Sequence, residues 1–284
     1  MKTILAKLRL YWSLTKSLQT GLLLSTGLAG FMSARCPVMH WYDFLGLAVS
    51  LFLAIAGSTV INMWYDRDID AVMNRTHHRP LADGRITPTE ALRIGLVLSL
   101  MGIGMAVTMS PLYGLIVFAG LFFDAVVYTV WLKRRTCWSI VWGGISGGMP
   151  ILAGRAFGTG HIDGIGILLA LAVLFWIPTH ILTFAIRYHD DYLAARIPTF
   201  PSTYGFYTTR ATIAVSSVIA ALSISAAGIL IGMQWGFFRL LAVLSAGLML
   251  LAAASVFRPS ERVNYSLFKY ASLFMLSAMI LLSI

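Results

Sequence analysis

The sequence predicts an all-α fold, a polytopic transmembrane helical bundle of about nine spans forming a single domain over residues 1–284. Three observations predict it. Charged residues make up 11% of the chain and hydrophobic residues 58%, with a mean hydropathy of +0.82; a soluble domain carries about 25% charge. The apolar stretches are long and continuous instead of alternating. A helix needs about 20 such residues to cross a bilayer, where only helices or closed barrels satisfy the backbone. The basic residues are also segregated. Of 21 Lys and Arg, 18 lie in the N-terminal segment and the even-numbered connections, and Arg35, Arg155 and Arg239 fall on the other side. That asymmetry predicts a cytoplasmic N-terminus and, with nine spans of the cell membrane, a C-terminus outside.

The spans fall at approximately 15–34, 44–64, 90–109, 112–131, 139–157, 164–186, 211–232, 236–256 and 266–284. The basic segment before the first span lacks a small-residue cleavage pattern, so no removable signal is expected. The third span opens on Thr87-Pro88-Thr89-Glu90. Thr87 can cap, Pro88 suits the first helical position, and Glu90 can reach back to the cap. Ser110-Pro111 makes a short uncharged turn into the fourth span. Gly143, Gly144, Gly147 and Gly148 in the fifth suit close helix packing. Cys36 and Cys137 fall on opposite faces of the membrane, so no disulfide is expected. The net charge of +10 serves topology and phosphate binding; no nucleic-acid partner is expected.

The chemistry gathers on the cytoplasmic face. Asn62, Asp66 and Asp70 recur at i, i+4 and i+8, which stacks three oxygen-bearing side chains on one helical face. Such a column suits Mg²⁺, a hard cation that takes one or two carboxylates and completes its shell with water and substrate phosphate. Asp68 lies off that face. A solvated helix end would explain Asp68 and Arg67, but not carboxylates entering an apolar span, where ionisable groups are costly. A second acidic pair, Asp190 and Asp191, followed by Tyr192, ends the sixth span. Arg75, Arg79, Lys133, Arg134 and Arg135 lie on the same side and could neutralise a diphosphate leaving group. Each also obeys the positive-inside rule; Arg79 and Lys133 sit nearest the motifs. His180 follows Pro178 in mid-span, where it is either a hydrogen-bonded core residue or a functional ligand.

The segment 62–80, NMWYDRDIDAVMNRTHHRP, resembles the first aspartate motif of the UbiA-type prenyltransferases. Its ending, with the segments 128–136 (YTVWLKRRT), 143–154 (GGISGGMPILAG) and 176–205, is similar to the heme O synthase branch, the protoheme IX farnesyltransferases. The likeness covers about the first three quarters of the chain. It departs at His180-Ile181-Leu182, where the family has an aromatic pair after the histidine, at Ser139 and Arg155, and at Ile197-Pro198-Thr199-Phe200-Pro201. The resemblance implies a UbiA-like bundle and a Mg²⁺-dependent reaction. Farnesyl diphosphate would ionise, a vinyl group of heme B would attack the allylic cation, and water would quench the new one. It implies Asp66, Asp70, Asp191, Lys133 and Arg79 as catalytic residues, with Asn62 and the three aspartates as metal ligands. It implies Asn62, Arg75, Arg134, Arg135, His180, Asp190 and Tyr192 as substrate contacts. The implied partners are the two substrates, the lipid bilayer, and a downstream heme A synthase or terminal oxidase. An aromatic, quinone-precursor or lipid acceptor is the alternative. A transporter would line a mid-membrane path with its charges, whereas here they cluster at one face.

Overall fold

The computed structural model describes residues 2–35 and 40–284, with side chains described for Lys7 and from Arg9 onward. Cys36 lies outside the described residues; Cys137 is buried and unpaired. Among the described residues every regular element is helical. A helix α1 (Lys2–Leu14) precedes α2 (Ser17–Ser33), α3 (Trp41–Tyr65), the short α4 (Arg67–Val72), α5 (Pro88–Met109) and α6 (Pro111–Leu121). The last continues as a π-helix over Phe122–Leu132. Then come α7 (Ser139–Thr159), α8 (Gly164–Arg187), the short α9 (His189–Ala194), α10 (Phe200–Ile231), α11 (Trp235–Phe257) and α12 (Glu261–Ser283).

The long helices α2, α3, α5, α6 with its π extension, α7, α8, α10, α11 and α12 fall on the nine expected segments. Seven are long and apolar enough to cross a membrane; α2, with 17 residues, and the glycine-rich α7 fall short of that standard. The seventh segment begins earlier than expected. α10 runs back to Phe200 through Gly205, whose φ of 78° and ψ of 168° offset its first turns.

Consecutive long helices pack side by side, and α12 returns against α2, so the bundle closes as a ring. α2 also packs against α7 across it. Glycine makes that crossing possible. A Cβ on Gly154 would stand 1.9 Å from the Gly27 carbonyl oxygen, and one on Gly30 would stand 2.1 Å from that of Ile151. The fifth-span glycines do what was expected of them: a Cβ on Gly148 would come within 2.8 Å of the Ala170 carbonyl oxygen on α8.

Local signals are realised with one difference. Thr87 Oγ1 accepts from the Glu90 amide with Pro88 at the first helical position, and Ser110 caps α6. The Glu90 carboxylate does not reach back to the cap; Tyr11 of α1 donates its hydroxyl to it. A partner from another helix has replaced the local one, and this contact ties α1 to the bundle.

Candidate functional site

The aspartate column is built on a break. α3 ends at Tyr65, and Asp66, with φ −88° and ψ 6°, turns the chain into α4. One continuous helix was expected; two meet here. The column survives because the Asp66 amide still donates to the Asn62 carbonyl and the Asp70 amide to that of Asp66. Asp66 and Asp70 are 3% and 5% exposed, so their charge must be met inside the protein. Lys133 pairs with Asp66, and Arg79 binds Asp70 at 2.7 and 2.8 Å. The remaining Asp66 oxygen, Oδ1, is buried and makes no hydrogen bond.

The π-helix makes this registration. Its i to i+5 bonding spaces Asp124, Thr129 and Lys133 five and four residues apart, against the four-residue spacing of Ser58, Asn62 and Asp66 on α3. Three rungs result. Ser58 donates to Asp124 at 2.6 Å, Asn62 donates to Thr129 at 2.8 Å, and Lys133 meets Asp66. The Thr129 hydroxyl donates to the Asp124 carbonyl, and the Lys133 amide bonds Tyr128, both five residues back.

The second acidic motif joins the first through the loop after α4. Asp191, 8% exposed, accepts from the Asn74 side chain at 3.1 Å and from the Arg75 amide at 3.3 Å. The Arg75 guanidinium lies over Phe184 and Tyr188, its Nε buried without a partner. Tyr192 packs with Ile69, Met73 and Ile197, an apolar contact that holds α9 against α4. These elements bring together Asn62, Asp66, Asp70, Arg75, Arg79, Lys133, Asp191 and Tyr192. Other candidates stand apart. Arg134 forms a bidentate pair with Asp68, which is 61% exposed. Asp190 and Arg135 are exposed, and among the described residues their side chains make no hydrogen bond or ion pair.

His180 sits on the α8 face that leads to the site. Its ring stacks between Trp176 and Phe268, and Nδ1 lies 3.3 Å from the Ser272 hydroxyl. Phe184, one turn on, touches Phe268 and lies under Arg75, so an aromatic row joins His180 to the Asp191 loop.

Lys16 was missed by the sequence reading. It precedes α2 in a left-handed conformation, φ 45°, strained for a residue with a Cβ. Burial, with Arg79 and Lys133 nearby, lowers its pKa from 10.5 to about 8, while Asp70 and Asp66 pull the other way. A lone lysine before an apolar run reads as a topology signal; only folding places it among these charges. Lys133 moves oppositely: burial would lower its pKa, but Tyr128 and Asp66 hold it above the ordinary lysine value.

Residues 23–278 match the UbiA prenyltransferase family. The protoheme IX farnesyltransferase of Archaeoglobus fulgidus is 40% identical over 269 residues, 94% of each chain. Protoheme IX farnesyltransferase 1 of Pseudomonas fluorescens is 37% identical, covering 92% of this chain and 88% of its own. A solved digeranylgeranylglyceryl phosphate synthase superposes with a TM-score of 0.80 at 18% identity, covering 98% of both chains. A UbiA homologue from Archaeoglobus fulgidus bound to GPP and Mg²⁺ superposes at 0.71 and 16%, covering 97% of this chain and all of that one. These two likenesses concern the fold. With its apolar helices, joined acidic motifs and full-length relatives, the chain is an integral membrane protein that belongs to the UbiA prenyltransferase family.

Proposed function

We propose that this chain transfers a farnesyl group from farnesyl diphosphate to a vinyl group of heme B, making heme O and releasing diphosphate. The observation that carries the reading is the Asp191 carboxylate bound by Asn74 and Arg75, because it folds two acidic motifs far apart in sequence into one pocket rim. The relatives named protoheme IX farnesyltransferase supply the acceptor.

The residues fit a divalent cation of the Mg²⁺ type. Among the described residues no three acidic, His or Cys side chains converge closely enough to hold one alone. Mg²⁺ does not ask for that, since it keeps waters and takes substrate phosphate oxygens. The buried, unpartnered Asp66 Oδ1 is the oxygen it would use first, and Asn62, Asp70 and Asp191 would be the further ligands. When bound, the metal would neutralise the diphosphate as it leaves. The protein's own share is electrostatic: Lys133, Arg79, Arg75 and Lys16 present positive charge at one rim. The apolar helices below shield the allylic cation from bulk water. The aromatic row that holds His180 offers ring edges to a porphyrin, and among the described residues no hydrogen bond occupies His180 Nε2.

The charge segregation supports a rim facing the cytoplasm, with the N-terminus inside and the C-terminus outside the cell membrane. One catalytic domain spans the chain, and a heme A synthase or terminal oxidase takes the product. The test uses purified protein, labelled farnesyl diphosphate and Mg²⁺ with heme B, 4-hydroxybenzoate or a glycerol phospholipid. Label should enter heme alone and stop with chelator. Label in another acceptor would replace the heme assignment; no transfer to any would sink the reading.

A further inference from the structure

The ladder between α3 and the π-helix continues past the rim, and its lowest rung has no part in holding a diphosphate. Ser58 lies two turns before Asp66, about 12 Å deeper in the bundle. There its hydroxyl donates to Asp124 Oδ2 at 2.6 Å. Asp124 forms no ion pair with any described residue and lies inside a membrane-spanning segment, where an ionisable side chain marks function by default. It is not sealed in the packing. Asp124, Ser58 and Thr59 line a cavity whose remaining wall includes Leu51, Ile55, Val117, Leu121 and Met149. The Ser58 hydrogen bond fixes one Asp124 oxygen, and the side chain stands at the junction between a charged rim and a largely apolar chamber.

That junction is where a prenyl diphosphate would be cut. Its diphosphate belongs at the rim and its hydrocarbon tail in the chamber, so the reacting carbon lies between, along the Asn62 and Ser58 rungs. The chemistry there is incomplete without a base. When the vinyl π pair forms the new carbon–carbon bond, the other vinyl carbon is left as a cation. It must lose a proton, giving an alkene, or take a water molecule, giving an alcohol. The geometry points to Asp124 as the catalytic base for the second course, with Ser58 positioning it. Water bound at Oδ1 adds its oxygen to the vinyl-derived cation, and its proton passes to the Asp124 carboxylate. The charges balance: one carbon–oxygen bond forms, one oxygen–hydrogen bond breaks, and the carboxylate becomes neutral.

This rests on the farnesyl-to-heme reading, and the test separates the two. Wild type, Asp124→Asn and Ser58→Ala are incubated with farnesyl diphosphate, Mg²⁺ and heme B, and extracted hemes are resolved by mass. The quantity read is the ratio of hydroxylated farnesyl-heme to the product lighter by one water. That ratio does not depend on how much enzyme is folded. Asp124→Asn should lower it by roughly 10²-fold, the usual share of a general base. An unchanged ratio overturns the assignment. If Asp124→Asn forms neither product, Ser58→Ala decides: a lowered ratio supports it and an unchanged one overturns it. A wild type that never farnesylates heme defeats the underlying reading instead.

Discussion

Asp66 and Asp70 are buried carboxylates whose charges are met by Lys133 and Arg79, and we propose that they line the substrate rim. Exchanging either for Asn keeps the shape and removes the charge that would hold a cation. Turnover of labelled farnesyl diphosphate should fall by roughly 10² to 10³-fold with the protein still membrane-inserted; near-normal turnover in both variants would remove them from the site. Lys16 adds a pH dependence whose sign follows from its pKa of about 8. Below that pH the free enzyme carries the ammonium and attracts diphosphate; above it the charge is lost. kcat/KM for the prenyl diphosphate should therefore fall as pH rises through about 8, and Lys16→Arg, which stays charged, should remove that limb. His180→Ala should weaken heme titration by roughly tenfold or more and leave diphosphate binding unchanged. Equal loss of both would make His180 structural.

The elements divide into those the pattern announces and those that only tertiary contact creates. The nine apolar runs were legible because each is long and continuous, and Thr87-Pro88 and Ser110-Pro111 mark helix starts through local chemistry alone. Asp66, Asp70 and Asp191 were legible because carboxylates beside apolar spans have no bland explanation. The turn at Asp66 was not, since i, i+4, i+8 spacing reads the same whether or not a helix breaks within it. The pairing of Arg134 with Asp68 joins residues 66 apart, and basic residues on one side of a membrane look alike until partners are known. Asp124 escaped because a single acid in an apolar run shows no pattern; its significance comes from the π-helix that sets it opposite Ser58. The α2–α7 crossing has its own test. Gly154→Ala would drive a methyl group into the Gly27 carbonyl and should lower stability by about 1–3 kcal/mol, read as a lower unfolding midpoint in detergent. An unchanged midpoint would mean that the two helices can separate at no cost.

At the scale of the whole molecule the ring of helices separates two environments. One end gathers the aspartate column and its cations; the chamber below is mostly apolar, with Asp124 at the junction, and a separate Arg155–Asp163 pair lies at the other end. An amphiphilic substrate with a diphosphate head and a hydrocarbon tail fits that division, and the aromatic row of α8 and α12 is the proposed place of the acceptor. The proposed orientation rests on the basic residues: a reporter fused after Ile284 should be active outside the membrane, and activity inside would invert the topology. The proposed activity of this rim is the conversion of heme B to heme O. It is tested most directly by expressing the chain, beside its Asp66→Asn variant, in a host that lacks heme O, and analysing the extracted hemes by mass. The account predicts farnesylated heme with the wild-type chain and almost none with the variant; heme B alone from both, with the wild-type chain inserted in the membrane, would contradict it.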